Sequence, residues 1–486
     1  MSNALSVLRV FALILTMFSV TMLLPLAAAW IFDDGAQSAY DEGIVITLAA
    51  SFLLWWLTRR HREELKVRDG FLLVVLTWVG LPAFATIPLL AYYWPKLSFT
   101  DAYFETVSGL TTTGATVLEG LDALPFSINL WRAELVWLGG MGLIVLAVAI
   151  LPLLGVGGRQ IFKAEAPGPM KDAKLTPRMA ETAKGLWLVY FYITTACFGS
   201  LLWAGMTWRD AIIHTFTIMG LGGFSSHDAS FGFFNSVPIE LVTIFFMTLA
   251  GMNFATHFLA LRGRSFSPYK WDPEVRWFLV VMYASVLGIA LYLWGMRVYP
   301  DFSTALRFAA FNVVSIATTT GYANTDFNLW PIFAPLWMLF LSSFATCSGS
   351  TGGGIKIVRA VVLYKQVFRE VMRAIHPSAV HPIKLGNEIV ENKIIFAVLA
   401  FGFMYMVAIV SMTLAMSASG LDIVTAFSAV VASINNTGPG LNQVGPATNF
   451  AVLTDFQTWV CTFAMLLGRL EIFTLLVVLT PAFWRK

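Results

Sequence analysis

Thr111-Thr112-Thr113-Gly114 decides the fold, because the chain repeats that stretch four times in altered form. Aligned on the glycine, the other copies are Gly220-Leu221-Gly222-Gly223, Thr318-Thr319-Thr320-Gly321 and Asn435-Asn436-Thr437-Gly438. An alanine stands twelve residues before each glycine, as Ala102, Ala211, Ala309 and Ala426. Each turn follows a semi-apolar stretch too short to cross a bilayer, at 99–112, 209–221, 304–319 and 422–436. About ten helical residues rise roughly 15 Å, half of a hydrocarbon core. Longer apolar runs flank every copy. The repeating unit is therefore span, half-span, glycine turn, span.

The composition around the repeats agrees. Of 486 residues, 58% are hydrophobic and 12% charged, half of the roughly 25% charge of a soluble domain. An ordinary soluble protein is excluded, and a net charge of +3 gives no ground for a nucleic-acid partner. Cys197, Cys347 and Cys461 are odd in number and scattered, so no disulfide framework is expected. Runs of spanning length fall at 10–31, 43–58, 71–93, 131–156, 184–206, 238–261, 276–298, 332–372, 393–416 and 452–482. The first contains Ala27-Ala28-Ala29, which imitates a signal-peptidase site. Its roughly 20 apolar residues exceed the core of a cleaved signal, so a retained helix is expected.

Charge gives the orientation. Four loops, 57–70, 158–184, 262–276 and 355–393, hold 22 of the 31 Lys and Arg. Positive-inside bias places them in the cytoplasm. Ten passes then put both termini inside, and all four half-spans enter from outside. The expected fold is an all-α polytopic membrane protein, with ten transmembrane helices and four pseudo-fourfold helix–pore-loop–helix repeats around one ion pore. A helix pair at 1–68 precedes repeats at 69–158, 159–262, 263–373 and 374–486.

A half-helix ending at mid-membrane has a definite use. Irregular backbone is tolerated at that depth only inside protein or against a watery cavity. Four turns around one axis place carbonyl oxygens in a ring that replaces a cation's hydration shell. Glycine permits the left-handed backbone this needs, and the half-helix C-termini point partial negative charge at the centre. The candidate filter residues are Thr112, Thr113 and Gly114; Leu221, Gly222 and Gly223; Thr319, Thr320 and Gly321; and Asn436, Thr437 and Gly438. The eighth span is interrupted by 345–354, rich in glycine, which a regular helix disfavours by about 1 kcal/mol per residue. Gly349, Gly352, Gly353, Gly354 and Lys356 are candidate gating residues. Arg469 lies mid-way along the last span, where a charge implies function. It either faces the ion path below the filter or forms an interhelical salt bridge that holds the gate loop or a neighbouring helix. Glu471, two residues on, faces elsewhere and needs another partner.

Other polar residues carry weaker signals. Glu105 and Asp210 are read as lying at the outer mouth, concentrating cations or starting helices. His214 and His257 read as packing residues. Gly349 to Lys356 imitates a phosphate-binding loop, but Ile355 separates glycine from lysine and no strand precedes it. An intramembrane enzyme using His214, His257 and Glu240 is the competing class. No HExxH, cysteine pair or nucleophile–base arrangement supports it, so the chain is read as a non-enzyme.

Thr111–Thr116 (TTTGAT), 221–225 (LGGFS), 318–322 (TTTGY) and 435–440 (NNTGPG) resemble the filter segments of the Trk/Ktr/HKT potassium transporters. Trp137-Leu138-Gly139-Gly140-Met141-Gly142, Ser350–Lys356 and Gly468-Arg469-Leu470-Glu471 add to the likeness. The resemblance implies potassium as the transported ion, with no tightly bound cofactor. It implies a homodimer in a bacterial cytoplasmic (inner) membrane, in contact with lipid, and a cytosolic nucleotide-binding regulatory subunit (TrkA-like). It also implies that 345–354 is the gate and that Arg469 lines the pore. A serine at one filter glycine goes with sodium transport in plant relatives; four glycines here favour potassium over a sodium or weakly selective monovalent pathway.

Overall fold

A computed structural model describes residues 2–61, 63, 65–93, 96–154, 179–378, 380–386 and 388–485. Among these the chain is helical, apart from a two-residue ladder pairing Lys384 with Ile389 and Leu385 with Glu388. The basic loop 158–184 lies largely outside the described residues, and so does the boundary between the first two repeats at 158.

Among the described residues six helices are long and apolar enough to cross a membrane, or eight with two bent pairs, and Phe126–Leu154 and an interrupted pair occupy the other two expected positions. Ser2–Thr21 with Leu23–Phe32, Gln37–Thr58, Val67–Tyr93, Phe126–Leu154 and Met179–Trp203 are the first five. Val237–Ala250 with Phe254–Gly263, Pro273–Gly295, Phe333–Ser342 with Ile357–Ile375, Asn392–Ala418, and Asp455–Arg469 with Phe473–Leu479 complete them. The half-helices are Phe99–Leu110, Trp208–Gly220, Phe302–Ala317 and Ile423–Ile434. All four start alike. The side chains of Ser98, Thr207, Asp301 and Asp422 accept the backbone N–H three residues on, satisfying one orphan donor of each helix start.

Two spans differ from expectation. The sixth, 238–261, and the tenth, 452–482, read as continuous, yet they bend by 95° and 114°. Gly251 and Asn253 break the sixth, with Asn253 capping the next helix through Ala255 N–H. Glu471 and Ile472 break the tenth, both at positive φ. Hydropathy does not register such breaks, because the flanking residues stay apolar.

The surface is that of a protein in lipid. Phe52, Leu53 and Trp56 of the second span are exposed, as are Phe396, Phe403 and Met406 of the ninth. A water-facing patch of this extent would be unstable. Polar residues are instead inside: Thr112, Thr319, Asn436 and Thr437 are fully buried. The helix after each turn packs on the half-helix of the following repeat. Phe126–Leu154 meets Trp208–Gly220, Val237–Ala250 meets Phe302–Ala317, and Phe333–Ser342 meets Ile423–Ile434. Asp455–Arg469 meets Phe99–Leu110, which closes the circle. Ala102, Ala211, Ala309 and Ala426, fully buried, admit this close approach.

Candidate functional site: four turns and a buried loop

Each half-helix ends in the same backbone closure. Thr112, Leu221, Thr319 and Asn436 have φ of 57°, 55°, 61° and 54°. The next N–H in each case, of Thr113, Gly222, Thr320 or Thr437, reaches back to Ser108, Thr217, Ser315 or Ala432 oxygen at 2.8–3.0 Å. Glycine usually occupies the left-handed position of such a cap. Here it holds two threonines, a leucine and an asparagine, and strain of about 1–3 kcal/mol per residue collects where function is expected. The aligned glycine is itself at positive φ in Gly114, Gly321 and Gly438, but not in Gly223. The expectation that all four glycines serve left-handed backbone is therefore met at three of them.

The four turns meet. A Cβ on Gly114 would lie 2.5 Å from Gly223 N, and one on Gly223 would lie 2.5 Å from Thr320 O. One on Gly321 would collide with Thr437 O, and one on Gly438 would lie 2.9 Å from Thr113 O. Each glycine thus abuts the next segment, and the fourth returns to the first. Gly223 N also donates to Thr320 O at 2.5 Å. All four glycines line one vestibule of about 80 Å³, with Arg132, Ser225, His227 and Asn449 on its wall. Thr112 Oγ1, Thr437 Oγ1 and Asn436 Oδ1 are buried beside it in sequence with no hydrogen-bond partner among the described residues. Gly139 and Gly140 explain their own motif. A Cβ on the first would strike Leu110 at the end of its own half-helix; one on the second would lie 2.8 Å from Gly220 Cα of the next.

The loop 345–354 sits directly under these turns. Gly353 N donates to Thr319 Oγ1 at 2.8 Å, and Thr351 Oγ1 donates to Met219 O at 3.0 Å. A Cβ on Gly352 would lie 3.0 Å from Thr318 O, and one on Gly353 would lie 3.0 Å from Asn436 Cβ. The loop therefore touches the second, third and fourth half-helices. It is also laced to the break in the sixth span: Cys347 N donates to Gly251 O and Phe254 N to Gly349 O, both at 3.1 Å. Ser348 N donates to Glu274 Oε2 at 2.7 Å, and the Lys356 ammonium donates to Gly352 O. Gly354 packs on Ser342 and Ser343 carbonyls.

Arg469 completes the enclosure. Its guanidinium donates to Thr351 O at 3.0 Å and to Gly139 O, and stands over the Trp78 ring at 5.4 Å. These bonds, to backbone carbonyls, join the loop and the fourth span to the last one. Glu471 has a separate partner, Arg359, at 2.7 Å.

The weaker candidates are resolved individually. Asp210 is a helix-start residue, bonded to Thr207. Glu105 does not lie open at the mouth: it is fully buried and paired with Arg132 at 2.8 Å. Lining up the repeats, rather than judging each residue alone, would have found this site, since nine residues before the glycines stand Glu105, His214 and Asn312. His257 bonds Tyr269 and Leu249 O, His214 bonds Ser225, and Glu240 pairs with Arg307 at 2.8 Å. The three are engaged separately and form no common site.

Comparison with known proteins agrees with this architecture. The family model for TrkH, a cation transport protein, matches residues 36–486. The chain is 47% identical to a Trk system potassium uptake protein of Salmonella typhimurium, over 98% of this chain and 99% of that protein. It is 46% identical to the corresponding protein of Escherichia coli K12, over the same shares. The crystal structure of the potassium transporter from Vibrio parahaemolyticus superposes with a TM-score of 0.89 at 44% identity, covering 99% of both chains.

Proposed function

The chain belongs to the TrkH family of cation transport proteins, and from that premise we propose that it takes up potassium through a ring of backbone carbonyls gated by the loop 345–354. It is a membrane transport protein and not an enzyme. The ring comprises the segments ending at Gly114, Gly223, Gly321 and Gly438. The observation that carries this reading is their mutual contact in cyclic order at the floor of one vestibule. Neutral carbonyl dipoles then replace the water around the ion, and the orphaned oxygens of Thr112, Asn436 and Thr437 add potential ligands.

The gating assignment is supported by position. The loop fills the space beneath the turns and is held by bonds to backbone carbonyls, which a modest movement breaks. Arg469 and Lys356 place two cationic groups on it, so an ion leaving the ring inward meets both a steric and an electrostatic barrier. We further assign the protein to the inner membrane with both termini in the cytoplasm, from the distribution of basic loops. A homodimer with a nucleotide-binding cytosolic subunit follows from the family and from an uncovered surface. Helix Ile357–Ile375, continuous with the gate, leaves Tyr364, Val367, Phe368 and Val371 exposed.

Reversal potentials in liposomes test the reading. With potassium and sodium gradients set separately, the purified protein should follow the potassium gradient. Gly438→Ser forces a Cβ onto positive φ, a cost of about 1 kcal/mol or more, and should reduce potassium preference about fivefold. Equal permeability to both ions in the unaltered protein would overturn it in favour of a weakly selective pathway.

A further inference from the structure

We propose that Glu105, His214, Asn312 and Ser428 are positioning residues for ion selection, one per repeat, each tying the chain that leaves the filter turn back to the half-helix that enters it. The inference rests on the carbonyl-ring reading and names what holds that ring to size.

The four occupy matching places. Glu105, His214 and Asn312 stand nine residues before their glycines and Ser428 ten before its own. All four are fully buried. Each reaches the residue two or three after the glycine. Glu105 accepts from Thr116 Oγ1 and Val117 N at 3.0 Å. His214 Nε2 meets Ser225 Oγ at 3.0 Å. Asn312 Nδ2 donates to Asn324 Oδ1 at 2.6 Å. Ser428 Oγ accepts from Leu441 N at 2.8 Å. Four unlike side chains make one connection, so geometry rather than any one chemistry is common to the repeats.

That connection acts on the ring. The turn is pinned on its entering side by the helix cap, and these ties pin it on its leaving side. With both ends held, the intervening carbonyls cannot tilt or spread to suit a different ion. Leaving such a buried hydrogen bond half-made is costly, which resists that movement. The first tie is the strongest because Arg132 joins it. Its Nε bonds Glu105 at 2.8 Å, its Nη1 bonds Ser225 O at 3.2 Å, and it stands 4.3 Å from the Phe224 ring. This links the first tie to the second across the repeat boundary. The second repeat is where such a strut matters most, since Gly223 alone lacks the positive φ of its counterparts.

The competing explanation is that these groups only satisfy one another in an apolar interior. That explanation predicts lost stability with unchanged selectivity. The full-length protein in liposomes separates the two through the ratio of potassium to sodium permeability. His214→Ala and Ser225→Ala should each lower the ratio about threefold, and the double variant should be no worse than either alone, since the two share one interaction. His214→Asn, which borrows the third repeat's side chain, should restore most of the ratio. Glu105→Gln should lower it too, by weakening the Arg132 strut. If His214→Ala fails to fold, Ser225→Ala breaks the same tie from its other end. Gly438→Ser runs alongside. If it alters selectivity while all tie variants keep the unaltered ratio, the positioning role is overturned and the filter reading stands. If no variant, Gly438→Ser included, changes the ratio, both fall.

Discussion

Residues that look alike in sequence differ in what surrounds them. The four filter glycines are an example. A Cβ on Gly438 would meet nothing closer than 2.9 Å, whereas one on Gly321 would overlap Thr437 O, with Pro439 Cδ 2.9 Å away. Gly438→Ala should therefore be the milder change, costing about 1–2 kcal/mol for positive φ and leaving measurable flux. Gly321→Ala should yield little folded protein. Thermal melting of the two purified variants checks the order. His227, just past the second filter turn, shows the same dependence on surroundings. Burial pushes its pKa down, but bonds to Asp210 and Asp122 outweigh this and hold it above the usual value. Burial raises Asp122, yet its bonds to His227 and Asp228 N–H win and lower it. A raised histidine contributes stability that is complete below its unfolded pKa near 6.5 and lost as pH rises through the folded value. The link between the first and second outer loops should thus loosen above neutrality. Asp122 is half exposed, so the link is worth about 0.5 kcal/mol after screening. Amide exchange in 226–234 should quicken roughly twofold between pH 6 and pH 8, after correction for intrinsic rates. His227→Gln should abolish that difference; an unchanged difference would exclude the histidine as its source.

Elements were legible in proportion to how strongly they pattern. Half-helices and spans fell where apolar length and the repeated glycine placed them, because membrane depth fixes how long each run must be. The bends after Ala250 and Arg469 were illegible for the converse reason. They are made by two or three residues held by another element, through Gly251 O to Cys347 N in one case and the Glu471 carboxylate to Arg359 in the other, and no local pattern encodes that. The loop 345–354 announced itself by glycine, but its partners did not. Those partners lead to a prediction. Arg469→Ala removes at least the bonds to Thr351 O and Gly139 O, each from a charged donor and worth about 1.5–3 kcal/mol, and so loosens the loop from the last span. On the gating reading, basal potassium flux without any partner should rise about tenfold or more. Thr351→Val removes only the hydroxyl bonds to Met219 O and Ala250 O and should raise it less. Falling flux from well-folded Arg469→Ala protein would instead make the arginine part of the conducting path.

The whole molecule is organised by charge and by the helix that continues from the proposed gate. Charge sidedness is an expectation drawn from sequence alone, through positive-inside bias, and cysteine labelling tests it. Cysteines at Ser38 and Ser303, both exposed, should react with an impermeant reagent from outside intact cells. One at Arg373 should react only after permeabilisation. The opposite result would invert the protein. The inner face carries the remaining argument. Helix Ile357–Ile375 begins where the proposed gate ends: Lys356 grips Gly352 O, and Arg359 pairs with Glu471 at the bend of the last span. A pull on this helix is therefore delivered to the loop through a few bonds at its first turn. Not every basic residue on it is available for a partner. Arg369 bonds Asn392 Oδ1 at 3.1 Å and Lys365 bonds Lys384 O at 2.6 Å, so reversing either disturbs the protein itself. Arg373, with a side chain 52% exposed and bonded only within its own helix to Glu370, is the cleaner choice. If a nucleotide-binding subunit works through this helix, Arg373→Glu should weaken nucleotide-dependent flux at least about fivefold, the effect of roughly 1 kcal/mol at a desolvated charge contact. Flux without nucleotide should stay unchanged. Nucleotide control that persists in this variant would move the docking surface to another basic loop.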